Sequence, residues 1–172
     1  GAGLSGPVIG VSPGAAFGSA KRWLPERFAE SAVRLARELP GGPASVAVFG
    51  SKDERDVAEI VTAAIAAQNV TAVNFAGATS LREFIERAAA CRLFLTNDNG
   101  AMHVVSALGV PTVAIFGATN HITTGPAGTQ SRVVREPVDC SPCLKRECPI
   151  DHRCMTRVTA DRVVEEALVL IR

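Results

Sequence analysis

Short apolar runs alternate with amphipathic stretches along most of the chain. The apolar runs predict five strands, at residues 8–11, 45–49, 70–75, 91–96 and 112–116, and a run at 133–134 is compatible with a sixth. Between them apolar residues recur at helical spacing, as across 28–39, 57–65 and 163–171. Such strands, separated by amphipathic helices, are typical of a parallel sheet covered on both faces. We therefore predict an α/β domain with a doubly wound, Rossmann-like parallel sheet.

The chain has 172 residues, which is enough for one domain with its own core. Residues 1–6 are rich in glycine and begin with Gly1 rather than methionine. We interpret them as a linker, a processed end or a cloning scar, and residues 7–172 as the domain. We also expect the chain to be part of a longer protein.

Charge and hydropathy narrow the possible partners. The 18 lysines and arginines nearly balance 17 acidic residues, so the net charge is +1. No basic field of the kind that binds nucleic acid is present, and we expect no nucleic-acid partner. The sequence contains no apolar run of about 18 residues and no signal peptide, so we expect at most peripheral contact with a membrane.

The first strand-to-helix loop, residues 13–23, has the composition of a phosphate-binding loop. Ligands of doubly wound sheets bind beyond the carboxyl ends of the strands, where this loop lies. Gly14 lets backbone N–H groups approach a ligand closely, and Lys21 and Arg22 can supply positive charge to a phosphate. The alternative is a surface loop with two solvated bases. The loop is neither a Walker motif nor the dinucleotide fingerprint, which argues against a standard NTPase or dehydrogenase.

The sharpest motif is the stretch at 96–103, TNDNGAMH, which joins a predicted buried strand to a short helix. Free N–H groups at the start of that helix would form an anion site. Asp98 stands beside it, and either holds sugar hydroxyls or caps the helix that opens near Gly100. His103 follows in the first turns, either as a buried, hydrogen-bonded histidine or as a ligand contact.

The loops after the second and fifth strands carry weaker signals. Glu54 follows the second strand, where a carboxylate suits either the hydroxyls of a ribose or the N-terminus of a helix. Thr119 and Asn120 follow the fifth strand, and are either ligand contacts or ordinary turn residues.

Four of the five cysteines crowd into fifteen residues: Cys140, Cys143, Cys148 and Cys154. Cys91 lies in an apolar run and is predicted to be a small core residue. The four thiols could close a structural zinc site, with His152 as a fifth candidate ligand. Their spacing lacks the two close pairs of a zinc ribbon, so a packed loop with free thiols or a strained disulfide is as compatible. We therefore assign no metal ligand and no cofactor.

The stretch 96–103, followed by ALGVPTVAIFG at 107–117, resembles the signature of glycosyltransferase family 9. Members of that family are the ADP-heptose:lipopolysaccharide heptosyltransferases. Pro13-Gly14 with Lys21-Arg22-Trp23 resembles the family's first loop, and residues 139–155 resemble the cysteine-rich stretch of its heptosyltransferase II branch. The resemblance covers nearly the whole chain after Gly6.

The resemblance implies half of a GT-B fold, in which two Rossmann-like domains face each other across a cleft. The chain resembles only the carboxyl-terminal, nucleotide-sugar-binding domain, and the amino-terminal acceptor domain, with the family's proposed catalytic base, is absent. The implied function is binding of ADP-heptose for transfer of heptose to the lipopolysaccharide inner core, at the cytoplasmic face of the inner membrane. We expect the isolated chain to be inactive.

The resemblance also assigns roles to residues. Lys21 would meet the diphosphate, with Gly14 in the same loop, and Glu54 would meet the ribose. The diphosphate and heptose would be framed by Asp98, Gly100, Ala101, Met102 and His103, and we name Lys21 and Asp98 as the catalytic candidates. Asn99 departs from the serine or threonine usual there, so we expect only its backbone contacts to be kept. The alternatives are another GT-B nucleotide-sugar enzyme, such as an epimerase, and a non-catalytic nucleotide-binding module.

Overall fold

The computed structural model describes residues 3–172, so the first two residues of the predicted linker lie outside it. The strands are β1 (Val8–Ser12), β2 (Ser45–Val48), β3 (Ala72–Asn74), β4 (Leu93–Asn97), β5 (Thr112–Phe116) and β6 (Ser131–Arg135). The helices are α1 (Pro25–Glu38), α2 (Arg55–Ala66), α3 (Leu81–Ala89), α4 (Gly100–Ala107), α5 (His121–Thr124), α6 (Arg153–Thr156) and α7 (Ala160–Ile171).

All six strands pair in parallel in one sheet, in the order β3-β2-β1-β4-β5-β6. Ile9 of β1 lies opposite Val46 on one side and Leu93 on the other. This order is that of the doubly wound, Rossmann-like sheet, so the predicted fold class is confirmed. The sixth strand is present, whereas β3 is shorter than the predicted 70–75 because it is an edge strand that pairs only with β2.

Helices cover both faces of the sheet. On one face α1, α2 and α7 pack over a core that includes Phe28, Leu35 and Val163. On the other face α3 and α4 cover Phe49 and Phe94, whose rings stack with centroids 5.8 Å apart. Side chains of this size each contribute about 1.5–3 kcal/mol when fully buried.

The strand order reverses between β1 and β4, which are neighbours in the sheet although the helices α1, α2 and α3 separate them in sequence. In open α/β sheets the crevice at this reversal is where ligands bind. The loops after β1 and β4 therefore lie side by side at the carboxyl edge. Among residues 3–172, no helix combines the length and the apolar character needed to cross a membrane.

Candidate functional site

A cavity of about 620 Å³ opens at this reversal, beyond the carboxyl ends of β1, β2 and β4. Its polar lining includes Lys21 from the first loop, Glu54 from the second and Asp98 from the third. These residues are far apart in sequence and meet because three parallel strands end at the same edge. Arg22, the other predicted phosphate contact, is absent from the lining, and its guanidinium donates to the Ala15 carbonyl at 3.4 Å.

Asn97, the last residue of β4, ties the first and third loops together. Its side chain is fully buried. Its Oδ1 accepts a hydrogen bond from the Trp23 backbone N–H at 2.9 Å, and its Nδ2 donates to the Pro13 carbonyl at 2.8 Å. One amide therefore holds both ends of the loop that carries Lys21. Asn97 was not among the predicted site residues. A polar residue at the end of an apolar strand was the feature that could have pointed to it.

Asn99 caps helix α4. Its Oδ1 accepts from the Met102 N–H at 3.0 Å, the usual contact of a helix N-cap. The alternative that Asp98 caps this helix is therefore wrong, because the position that meets the N–H groups is one residue later. The first N–H groups of a helix have no partner within it. Those of Gly100 and Ala101 are not used by the cap either, so they remain available to an anion.

The amide of Asn99 also reaches the first loop. Its Nδ2 donates to the Gly14 carbonyl at 2.9 Å and to the Ser12 hydroxyl at 3.0 Å. A serine or threonine at this position could cap the helix but has no group long enough to make both of these bonds. The departure from the family pattern thus adds a second connection between the two loops.

Asp98 is nearly buried and pairs with Lys21. Asp98 Oδ2 lies 3.1 Å from Lys21 Nζ, and the two side chains are 5% and 16% exposed. The same oxygen accepts a hydrogen bond of 2.6 Å from the Thr119 hydroxyl. The two catalytic candidates are therefore in direct contact, and Thr119 donates a hydrogen bond to the same carboxylate. Asn120 instead caps α5, through a bond from the Ile122 N–H at 2.9 Å.

Glu54 lines the cavity and also caps the start of the helical segment to which it belongs. Its Oε2 accepts from the Ser51 N–H at 3.0 Å, in a capping box. The carboxyl group packs directly against Gly14, where an added Cβ would lie 2.5 Å from Glu54 Cδ. A side chain at position 14 would push the Glu54 carboxylate aside, so glycine lets this carboxylate keep its capping role while it remains on the cavity wall.

The helix that follows divides its residues between the cavity and the core. Gly100, Ala101 and His103 line the cavity, and His103 is exposed, so it is not the buried histidine of the alternative prediction. The Met102 side chain packs against Ala114 and Phe116 and does not line the cavity. Met102 was expected to frame a ligand, but helical periodicity turns its side chain towards the sheet and Asn99 takes its N–H.

The far wall of the cavity is apolar. It is formed by Phe49, Leu81 and Phe84, and the Leu81 side chain is 70% exposed. The Phe49 and Phe84 rings meet edge to face with centroids 5.3 Å apart, which fixes their planes. The cavity thus combines a charged end beside α4 with an apolar end beside α3.

The cysteine-rich stretch packs beside the first loop, and its four thiols are free, as is that of Cys91. The four clustered cysteines line a cavity of only about 60 Å³. Within residues 3–172, no three His, Cys, Asp or Glu side chains form a group that could hold a metal ion. Burial raises the pKa of the Cys91 thiol to about 12, and burial with neighbouring thiols raises the pKa of Cys154 to about 11.

These pKa values predict the order of thiol modification. At pH 8 iodoacetamide should label the exposed Cys140 first and leave Cys91 and Cys154 largely unlabelled, since the thiolate is the nucleophile. Peptide mass spectrometry over a time course measures this order, and urea-unfolded protein is the control in which all five should react. Equal rates at Cys140 and Cys154 would contradict the packing described.

Comparison with known proteins places the chain in a family. The model of glycosyltransferase family 9 (heptosyltransferase) matches residues 1–153. The lipopolysaccharide heptosyltransferase 2 of Escherichia coli strain K12 is 36% identical over 167 residues, which cover 96% of this chain and 47% of that protein. The lipooligosaccharide heptosyltransferase 2 of Campylobacter jejuni serotype O:2 is 33% identical over 168 residues, which cover 96% and 51%.

The fold agrees with these relationships. The solved structure of E. coli ADP-heptose LPS heptosyltransferase II has a TM-score of 0.81 to this chain at 34% identity, and the match covers 96% of this chain and 46% of that one. The chain therefore spans about half the length of the relatives it matches. The resemblance seen in the sequence is confirmed, and the chain belongs to glycosyltransferase family 9, the heptosyltransferase family.

Proposed function

We propose that the chain is the nucleotide-sugar-binding half of a GT-B heptosyltransferase and binds ADP-heptose for transfer to the lipopolysaccharide inner core. The observation that carries this proposal is the pairing of Lys21 and Asp98 beside the free start of α4, inside the cavity at the sheet reversal. The relatives at 33–36% identity are named for heptosyl transfer, and one solved relative is named for ADP-heptose.

The charged end of the cavity suits a diphosphate. The N–H groups of Gly100 and Ala101 point out of the helix start, and a Cβ built at Gly100 would meet open space. Lys21 lies beside them in the lining. As the bond to the sugar breaks, negative charge grows on the departing diphosphate, and these donors stabilise it without moving.

Asp98 is placed to hold the sugar. Lys21 and Thr119 both bind Oδ2, which leaves Oδ1 for a hydroxyl of the heptose. A sugar held in this way presents its anomeric carbon at a fixed angle for in-line attack. The base that takes the proton of the acceptor hydroxyl is assigned to the amino-terminal half, which also supplies the acceptor site.

The remaining walls suit the adenosine. The Glu54 carboxylate can accept hydrogen bonds from the hydroxyls of a ribose, and the apolar wall of Phe49, Leu81 and Phe84 suits a base. Lys21 and the helix N–H groups provide the positive potential that the reaction needs, so the proposal includes no cofactor. We propose that the complete enzyme acts at the cytoplasmic face of the inner membrane.

Binding of ADP to the isolated chain tests the proposal. At 100 times its Kd a ligand of the folded state adds about 2.7 kcal/mol of stability, which raises Tm by roughly 5–11 °C for a chain of this size. We expect ADP and ADP-heptose to raise Tm and UDP to have less effect, with no heptose transfer by the chain alone. Preference for UDP-sugars would favour the epimerase alternative, and no nucleotide response would favour a non-catalytic module.

Lys21→Met tests the charged end of the cavity. The variant keeps most of the apolar stem of Lys21 but removes the charge that lies over the Phe17 ring, so ADP should bind about ten-fold more weakly. The loss is moderated because Lys21 also gives up its bond to Asp98 when it meets a phosphate. Calorimetry with ADP and adenosine measures the difference, and adenosine affinity should not change. Equal ADP affinity in both proteins would place Lys21 outside the diphosphate site.

A further inference from the structure

Arg146, in the cysteine-rich stretch, is fixed to the loop that carries Lys21. Its backbone carbonyl accepts a hydrogen bond from the Ala20 N–H at 2.9 Å. The same carbonyl lies so close to Gly18 that a Cβ added there would be 2.2 Å from the oxygen. The stretch therefore docks on the first loop through backbone contacts, which set the position of Arg146 independently of its side chain.

The Arg146 guanidinium lies on the ring of Phe17. Its Cζ is 5.1 Å from the ring centroid, and Lys21 Nζ is 4.8 Å from the same centroid. Phe17 belongs to the cavity lining. Two cations therefore contact one aromatic side chain of the cavity lining: Lys21, which itself lines the cavity, and Arg146, which lies outside the lining.

The charge balance of the cavity calls for a second cation. Within residues 3–172, Lys21 is the sole lysine or arginine of the lining, against the two carboxylates of Glu54 and Asp98. Lys21 is already paired with Asp98. A diphosphate adds a negative charge on each phosphate, and Arg is well suited to bind phosphate oxygens in a forked geometry.

Arg146 has its charge available for that task. In the described part of the chain its guanidinium makes no hydrogen bond and no ion pair to a protein group, and its side chain is exposed. The exposed acids Glu147 and Asp151 lie in the same stretch, but the Asp151 carboxylate pairs with Arg153 at 2.9 Å. The Phe17 ring holds this cation beside the cavity lining.

We propose that Arg146 binds a phosphate group at the mouth of this cavity, as the second cation beside Lys21. The inference rests on the proposed function, because it takes the cavity to be a diphosphate site. The phosphate belongs either to the donor or to a phosphorylated acceptor, and the chemistry of recognition is the same. The position of Lys21 on the same ring favours the donor.

Arg146→Gln tests this proposal, with the neighbouring exposed Lys145→Gln as a matched control that removes the same charge. Calorimetry on the 172-residue chain should show ADP binding weakened about ten-fold by Arg146→Gln, with adenosine affinity unchanged. Lys145→Gln should change neither. Gly18→Ala is a second variant, which should displace Arg146 through the backbone and weaken ADP in the same direction, while adenosine still binds.

The acceptor is tested with the complete enzyme. If Arg146→Gln leaves ADP affinity unchanged but raises the KM for a phosphorylated acceptor above that for its dephosphorylated form, Arg146 binds the acceptor's phosphate and the proposal stands. Unchanged ADP affinity together with unchanged acceptor KM overturns the proposal while the proposed function survives. A wild-type chain that binds neither ADP nor inorganic pyrophosphate contradicts both.

Discussion

Replacing Asp98 with asparagine is expected to lower heptose transfer by at least about ten-fold while ADP binds as well as before or more tightly. Ten-fold corresponds to about 1.4 kcal/mol of transition-state stabilisation. The loss follows because an amide is a weaker acceptor than a carboxylate for a sugar hydroxyl. The gain follows because Lys21, released from its 3.1 Å ion pair, no longer has to leave an anionic partner to meet the diphosphate.

The measurement compares kcat/KM for transfer by the complete enzyme with ADP affinity in calorimetry. Thr119→Val is the matched control. It removes one hydrogen bond that positions Asp98 but keeps the charge of the Asp98 carboxylate. It should lower transfer less than Asp98→Asn. Parallel loss of ADP affinity and transfer in Asp98→Asn would mean that Asp98 organises the diphosphate site rather than the sugar.

Asn97→Leu is expected to destabilise the domain by roughly 3 kcal/mol or more. The substitution keeps the branching of the side chain but leaves the Trp23 N–H and the Pro13 carbonyl buried without partners, and each such group costs about 1–3 kcal/mol. For a domain of this size the change lowers Tm by roughly 6–12 °C. Because the same bonds fix the first loop, ADP affinity should fall as well.

Urea unfolding followed by circular dichroism measures the free energy of unfolding. Gln68→Leu is the control, since it makes the same exchange of amide for alkyl at an exposed position. It should change the free energy of unfolding by less than about 0.5 kcal/mol. An Asn97→Leu variant as stable as Gln68→Leu would show that water replaces the lost bonds.

The strands and their parallel pairing follow from local sequence, and so does the edge at which the site lies. Continuous apolar runs marked five strands, and alternation with helices implied the parallel sheet. The helix start at Gly100 was also predictable, because Asn and Asp before a glycine favour caps and turns. What local sequence could not decide was which of Asp98 and Asn99 makes the cap, since both residue types cap equally well.

The remaining features depend on contacts between distant parts of the chain. Thr119 is 21 residues from Asp98, and the Asn97 side chain bonds to a carbonyl 84 residues away. Arg146 follows all six strands in sequence, yet its carbonyl accepts a hydrogen bond from Ala20 in the first loop. Composition marks such residues as polar or basic but carries no information about their partners, which tertiary packing determines.

The position of β1 in the sheet has a consequence for synthesis on the ribosome. Among these six strands β1 is made first. β2 can pair with β1, and β3 with β2, as soon as residue 74 has emerged. The other edge of β1 stays unpaired until residues 93–97 arrive as β4. Nascent chains arrested near residue 90 should therefore be prone to aggregation through that open edge. Pairing of β4 with β1 therefore covers this open edge and also forms the crevice in which the ligand site lies.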